Sequence, residues 1–599
     1  MEGTPSPGIA VAGHASYAGR GDKVSAMQTI EASWPWLAVY PPGIDWRVSF
    51  PEQPLYQFLE DSIVRFADRP CLDFMGKGYR YAEIGKLVHR AAKGFASLGV
   101  TKGTRVGLML PNTPYYVIAY YAILEAGGTV VNINPLYAAP EVRHLVADAG
   151  VDTVVTLDLK QLQGAVAPLL GGTTLRRIVT CPLADVLPLP QSLAYRLLKR
   201  SEVVHPPRDD GHVTFAELIA NDGVFKPVPV DPRRDVAVLQ YTGGTTGVPK
   251  GAMLTHQNLV ANTLQALSWF PGSVPGGERC LAALPFFHVF AMTVAMNLSI
   301  ASGAEIVLLP RFEIKSLLAA IARKRPTTMP GVPTLFTAIY SSPAAQRIDL
   351  TSIRSCISGG APLPLEVKNK FEAATHCTVV EGYGLSETSP VVACNPLRGV
   401  NKPGSVGLPL PGTIIEIVSL DDPTKLMPAG ERGEVVVRGP QVMAGYWHQP
   451  QATAEVMRAD GGLRTGDVGY LDAEGYLFLV DRIKDMIIAG GYKIYPRHVE
   501  EAIYQHPKVA ECIVIGVADP YRGQTVKAYV ALAPGMTLEE SELLGFLKDK
   551  LSPMEMPKLI EFRASLPKTL IGKPSKKALL DEEAARAAKG ALSHNQNGK

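Results

Sequence analysis

The chain has 599 residues, is 46% hydrophobic and 19% charged, and carries a formal net charge of +3. That length predicts more than one domain, and the composition can fill a large core. So thin a positive balance excludes a dedicated nucleic-acid binder, which shows a strong basic bias.

Residues 1–30 are rich in Gly, Ala, Pro and Ser and lack a charged start followed by an apolar stretch. They read as a disordered tail rather than a secretory signal. From about Tyr79 the chain alternates helical patterns with short β-branched runs. "AEIGKLVHRAAKGFASLGV" is an amphipathic helix ending at Gly99. The strands "TRVGLML" and "TVVNI" flank the helix "PYYVIAYYAILEAGG", and "VDTVVTL" and "AEIVLL" repeat the theme. Such alternation predicts an α/β fold with parallel sheets flanked by helices.

Leu187–Arg200, "LPLPQSLAYRLLKR", is a short basic amphipathic piece. A surface helix packed on its own domain is the expected reading; a helix lying on a membrane surface is the alternative. Val289–Pro310 stays uncharged for sixteen residues, up to Glu305. That is short of the roughly 20 residues of a span, so a buried helix followed by a buried strand is expected.

After about Lys402, "GTIIEIVSL", "GEVVVRG" and "GYLFLVDR" are strands broken by Gly and Asp turns, which predicts a smaller β-rich lobe. "DRIKD" then bridges to a small α+β unit. The expected organisation is a large domain over 31–481, a hinge at 482–485, a small domain over 486–590 and a frayed tail over 591–599. Seven scattered cysteines have no metal-ligand or redox spacing. An odd count cannot form a complete disulfide framework, so a reducing, cytoplasmic setting is expected, with the thiols as buried small hydrophobes.

The run "YTGGTTGVPKG", Tyr241–Gly251, holds four glycines, three threonines and one lysine. It follows a short buried strand and reads as a loop leading to a helix. Such a loop offers backbone N–H groups to an anion at close range, and Thr242, Thr245 and Thr246 add hydroxyls. Lys250 adds a point charge suited to phosphate. The spacing differs from the common P-loop, because Val248 and Pro249 intervene. A flexible surface turn is the competing reading.

Downstream stand "SGGAPLP" (358–364), "EGYGLSET" (381–388), "LRTGDVGY" (463–470), "VDRIKDMIIAGGYKI" (480–494) and "LPKTLIGK" (566–573). In this order the motifs resemble the adenylate-forming superfamily: acyl-CoA synthetases, luciferases and peptide-synthetase adenylation domains. The resemblance runs from about Tyr79 to about Leu580. It implies two steps: a carboxylate attacks the α-phosphate of ATP, releasing pyrophosphate, and a thiol then attacks the acyl-adenylate and expels AMP. The first step brings anion to anion. At 4 Å that repulsion is about 4 kcal/mol at an effective dielectric near 20, so cations must be placed in advance.

The resemblance assigns the phosphates to Thr242, Gly243, Gly244, Thr245, Thr246, Gly247 and Lys250, with Thr388 as a further donor. It implies that Glu387 holds Mg²⁺, that Gly360, Ala361 and Tyr383 flank adenine within Glu381–Gly384 (Gly382 included), and that Asp467 and Arg482 take the ribose. Lys573 would bridge carboxylate and α-phosphate; the following Pro574 restricts it to extended backbone. A general basic face over Pro557–Lys577 is the alternative. The small domain would turn about Lys484, after which Gly490, Gly491 and Lys493 would meet CoA.

"LPFFHVFAMT" matches the segment that lines the acyl pocket, with His288 at the family's pocket histidine and Phe290 as a wall. Met292 stands where some long-chain synthetases use a Trp gate. Peptide-synthetase domains carry an Asp here for the substrate amino group. None lies between Phe286 and Met296, so an amino acid would leave its ammonium unpaired. The implied activity is a long- or medium-chain fatty acid–CoA ligase using ATP, Mg²⁺ and coenzyme A. The alternatives are a fatty acyl-AMP ligase serving a carrier protein and an aromatic-acid CoA ligase. Peripheral membrane contact and a homodimer are both left open.

Overall fold

The structure is a computed structural model that describes residues 34–242, 249–270, 272–568 and 574–596, with side chains to 587. Residues 1–30, expected as a tail, lie outside the described residues. Two large sheets carry the main domain. One has nine strands, the central six of which (70–74, 305–308, 279–282, 328–331, 355–358 and 378–384) run parallel. The other has seven strands. Six of them (212–214, 177–181, 153–157, 105–109, 129–132 and 236–242) are parallel, and 250–255 closes the edge antiparallel.

The helix Pro114–Glu125 is buried along its whole length. Its Tyr116 hydroxyl lies 2.6 Å from Asn132 Oδ1 and 2.9 Å from the Phe286 carbonyl. Asn132 in turn donates to Gln240 Oε1 at 2.9 Å, and Gln240 donates to the Phe287 carbonyl at 3.0 Å. This buried polar chain ties the seven-stranded sheet to the segment that leaves the nine-stranded one. Satisfied networks of this kind fix one arrangement of a core.

Strands 414–418, 433–438, 463–471 and 477–482 form an antiparallel sheet, the β-rich lobe expected after Lys402. A second, smaller core belongs to the C-terminal unit, where strands 487–489, 492–494, 509–519, 523–532 and 559–563 form one sheet. All seven cysteines are buried and free. Among the described residues no helix is long and apolar enough to cross a membrane. The run after His288 is a buried helix with a π turn over Met292–Asn297, followed by strand Glu305–Leu308.

Two expectations need correction. Lys250–Thr255 is a strand paired antiparallel to 236–242, so the Gly-rich run connects a β-hairpin, and the helix begins only at His256. Gly251 permits this, since an added Cβ would lie 3.1 Å from the Tyr241 ring. The last helix, Lys576–Gln596, continues into the stretch read as a frayed tail, because "EEAARAAKGAL" is composed mostly of strong helix formers. The helix Leu189–Leu198 forms on the surface, as expected; it packs on its domain through Tyr195 and buries none of its residues fully.

Glu125 closes the buried helix at 1% exposure, and neither carboxylate oxygen finds a hydrogen-bond donor among the described residues. Burial pushes its pKa up to about 8; the nearby His89 opposes this and Glu60 adds to it. A carboxyl raised in the folded state contributes stability below its unfolded value, and that contribution is lost as pH rises through 8. Glu125→Gln, neutral throughout, should therefore raise Tm over the parent at pH 9, with the gain shrinking by pH 6. Each 1 kcal/mol of relief should read as about 2 °C in a thermal scan.

Candidate active site

Part of the candidate set gathers at the carboxyl ends of parallel strands, where open α/β sheets bind ligands. Strand 378–384 carries Glu381, Gly382, Tyr383 and Gly384, and a short 3-10 turn, Ser386–Thr388, follows it. Gly360 and Ala361 follow strand 355–358, with Gly360 at φ +79°. Thr242 ends strand 236–242, and its hydroxyl donates to the Lys250 carbonyl at 3.4 Å. Gly243, Gly244, Thr245, Thr246, Gly247 and Lys573 lie outside the described residues.

Asp467 and Arg482 face each other across two antiparallel strands. The Tyr383 hydroxyl donates to Asp467 Oδ2 at 2.5 Å, and Arg482 Nε lies 3.2 Å from Oδ1. Burial raises the Asp467 pKa, against the pull of Arg482 and Tyr383. Lys484, in the turn after Arg482, is lowered by burial and by Arg482. A carboxylate held by one phenol and one guanidinium keeps lone pairs to accept from a diol.

The opposite end is built around Glu387. The Tyr446 hydroxyl donates to its Oε1 at 2.8 Å, and the Lys250 ammonium lies over the Tyr446 ring, 5.1 Å from its centre. Lys250, Tyr446 and Glu387 thus form one cation–phenol–carboxylate line. Glu387 offers a single hard carboxylate, the donor type Mg²⁺ takes when phosphates supply the rest of its shell. Thr388 is fully buried, and its hydroxyl donates to the Pro390 carbonyl at 2.5 Å. That hydroxyl is engaged inside the turn rather than presented as a phosphate donor.

His288 caps the helix after it, its Nδ1 accepting from the Phe290 N–H at 3.3 Å. A neutral ring in that role carries its proton on Nε2. The Phe290 ring packs on Gly359, where an added Cβ would lie 3.0 Å from Cζ. Met292 is fully buried, with Asn132 Nδ2 3.4 Å from its sulfur. In this arrangement it is a core residue.

The small domain meets this region through Asp481, which accepts from the Arg497 backbone N–H at 2.7 Å. Lys576 Nζ sits 3.3 Å from Glu500 and 4.0 Å from Asp481. Glu381 is pushed up to about 7 by burial, and Arg497 opposes the shift. Gly490 and Gly491 make the exposed turn between strands 487–489 and 492–494, and Lys493 lies 3.5 Å from Asp421 on the outside of the β-rich lobe. Those three are therefore not gathered with Asp467 and Glu387. Sequence reasoning missed Tyr446, Asp481, Arg497 and the Asn132–Gln240 support. A lone Asn in "TVVNI" and a lone Gln in "AVLQY" were the readable signals, since a polar residue in an apolar strand needs a partner.

The AMP-binding enzyme family matches residues 59–447, and the AMP-binding enzyme C-terminal domain matches residues 498–573. A long-chain-fatty-acid–CoA ligase of Bacillus subtilis is 44% identical over 557 residues, covering 92% of this chain and 99% of the relative. The solved anthranilate CoA ligase AuaEII in complex with anthranoyl-AMP aligns with a TM-score of 0.79 at 26% identity, covering 90% of this chain and 98% of that one. ATP-bound MatB from Rhodopseudomonas palustris aligns with a TM-score of 0.77 at 28% identity, covering 88% and 98%.

A Cβ added to Gly384 would lie 1.8 Å from the Pro390 carbonyl oxygen. Gly384→Ala must therefore displace the strand end that carries Tyr383. Denaturant unfolding should show a loss of about 1–3 kcal/mol, the usual cost of overpacking.

Proposed function

The chain belongs to the AMP-binding enzyme family, and on that premise we propose that it is an ATP-dependent fatty acid–CoA ligase acting on long- or medium-chain acids. The observation that carries this reading is the pairing of two ends of one site. A buried carboxylate, Asp467, is flanked by Tyr383 and Arg482; a Lys250–Tyr446–Glu387 line lies beyond the same strand. The first suits a ribose and the second a polyphosphate. The 44% identity to a long-chain-fatty-acid–CoA ligase supports the choice of acid.

In this reading Asp467 accepts from the ribose hydroxyls while Arg482 holds the carboxylate in place. Gly360, Ala361 and Tyr383 border the adenine, and Lys250 with the Thr242–Gly247 backbone receives the β- and γ-phosphates. Glu387 would hold Mg²⁺, which supplies charge neutralisation to the phosphates when bound. His288 stands at the position of the family's pocket histidine, beside the substrate carboxylate. Lys573 brings the last cation, between the two anions that must join. Each CH₂ of an acyl chain that the site buries adds about 0.8 kcal/mol of affinity, so the tail supplies much of the binding. For the thioester step the small domain turns about Lys484 and exchanges Lys573 for the Gly490–Gly491–Lys493 turn.

ATP–pyrophosphate exchange over a panel of carboxylic acids tests the substrate class. Long- and medium-chain fatty acids should exchange fastest, amino acids should be inert, and aromatic acids should be poor. Equal or better exchange with aromatic acids would replace the fatty acid reading. CoA-dependent release of AMP tells a CoA ligase from an enzyme that serves a carrier protein. Lys573→Ala should keep its Tm and lose exchange by about 10²-fold or more, the scale of one preorganised electrostatic donor. Undiminished exchange in that folded variant would overturn the adenylation role. Lys484→Pro should depress thioester formation well beyond its effect on pyrophosphate release.

A further inference from the structure

An ordinary surface helix turns its apolar stripe to the core and its polar stripe to water. Helix Leu189–Leu198 does the reverse. Leu189, Leu193, Leu197 and Leu198 are 78%, 60%, 80% and 80% exposed. At about 100° per residue the first three fall within an arc of about 80°, and Pro190, Ala194 and Leu198 widen it to about 180°. All six are exposed. The other side of the helix carries Ser192 and Tyr195, which alone in the helix are partly covered, and the Tyr195 ring packs on the main core. The polar side is the anchor, and the leucine side is presented outward.

The charges at its margin are mainly basic. Arg196 Nη2 lies 2.5 Å from Asp185, Lys199 Nζ lies 2.6 Å from Glu202, and Lys77 Nζ donates to the Asp185 carbonyl at 2.6 Å. Arg200 follows in the next turn. Four bases against two acids, Asp185 and Glu202, leave the patch with a net positive charge. A helix with leucines on one face and Lys/Arg along its edge suits the boundary of an anionic bilayer, where the leucines enter the acyl layer and the bases meet headgroup phosphates. A second copy of the chain fits less well. Ten residues make a helix about 15 Å long and 10 Å wide, a footprint near 150 Å². A stable interface needs about 800 Å² per partner.

We propose that helix Leu189–Leu198 is a membrane-docking element that holds the enzyme on the surface of an anionic lipid bilayer through Leu189, Leu193, Leu197 and Leu198. The inference goes beyond the proposed function and does not depend on which acid is activated. It rests on the placement of the leucines and on the charge beside them.

The test is cosedimentation of the full chain with extruded vesicles of phosphatidylcholine, with and without phosphatidylglycerol. The parent is compared with the triple variant Leu189→Ser, Leu193→Ser, Leu197→Ser. These side chains are largely exposed, so the variant should keep its Tm and its ATP–pyrophosphate exchange. The parent should bind the phosphatidylglycerol vesicles, and the variant should lose about tenfold or more in partition. Arg200→Glu should weaken binding to those vesicles and leave the weaker binding to pure phosphatidylcholine unchanged. Failure of the parent to bind phosphatidylglycerol vesicles, or equal binding by the triple variant, overturns the proposal. So does a parent dimer that the triple variant converts to monomer in light scattering, which would make the face an interface between copies. Exchange measured in the same samples separates this outcome from failure of the functional reading.

Discussion

Negative charge crowded into a half-dry seam is the constraint around which the site is organised. Glu381, Glu387, Asp467 and Asp481 come from strands and turns that converge at the carboxyl end of strand 378–384 and the end of strand 477–482. Burial alone would push such groups toward the neutral form. Each is met by a donor from elsewhere in the chain: the Leu363 N–H for Glu381, Tyr446 for Glu387, Tyr383 and Arg482 for Asp467, and the Arg497 N–H for Asp481, with the Lys576 ammonium 4.0 Å from Asp481. Removing any one of these donors leaves a carboxylate under-compensated, so the seam couples the β-rich lobe, the main sheet and the small domain.

The same arrangement solves a problem of the chemistry. A nucleotide brings more negative charge into a region already rich in carboxylates. The site separates the two populations. In the proposed reading Asp467 and Glu381 take the hydroxyls and amino groups of the nucleotide, while Lys250, over Tyr446, takes the phosphates. Glu387 stands between them, and its charge reaches both Arg482 and Lys484. In the proposed reading a divalent cation at Glu387 would turn that repulsion into attraction.

Much of the fold was legible because it rests on periodicity and punctuation. Alternating β-branched runs and amphipathic helices announced the parallel sheets, and the shift to Gly- and Asp-broken strands after Lys402 announced the antiparallel lobe. The strand Lys250–Thr255 escaped, since its Lys and Gly, following Pro249, read as loop while its pairing is decided by the neighbouring strand. The charged and Gly-rich members of the site were legible as motif residues. Tyr446 was not, because an aromatic after a glycine carries no chemical signature until the fold sets it between Lys250 and Glu387. The Leu189–Leu198 helix is the instructive case. Its amphipathic pattern was plain, but a pattern does not say which face turns inward; here Tyr195 decides it.

The small domain is held in a way that suits exchange between two arrangements. Its side of the seam uses a few polar contacts: the Asp481–Arg497 hydrogen bond, the Lys576 cluster and the exposed Lys493–Asp421 pair. Exposed pairs contribute at most about 1 kcal/mol. Burial would lower the Lys576 pKa, but the carboxylates of Glu500, Asp481 and Asp485 prevail and keep it above its ordinary value, so the ammonium stays charged at the junction. Each of these groups can be satisfied by water or by another partner once the domain turns. A large apolar interface would make the turn costly, because apolar area lost to water has no substitute. The hydrophobic residues of the small domain are instead spent on its own core, around Val499, Ile503, Val514, Val526 and Leu543. In the proposed reading it turns about Ile483–Asp485, carrying one set of basic residues away from the seam and another toward it.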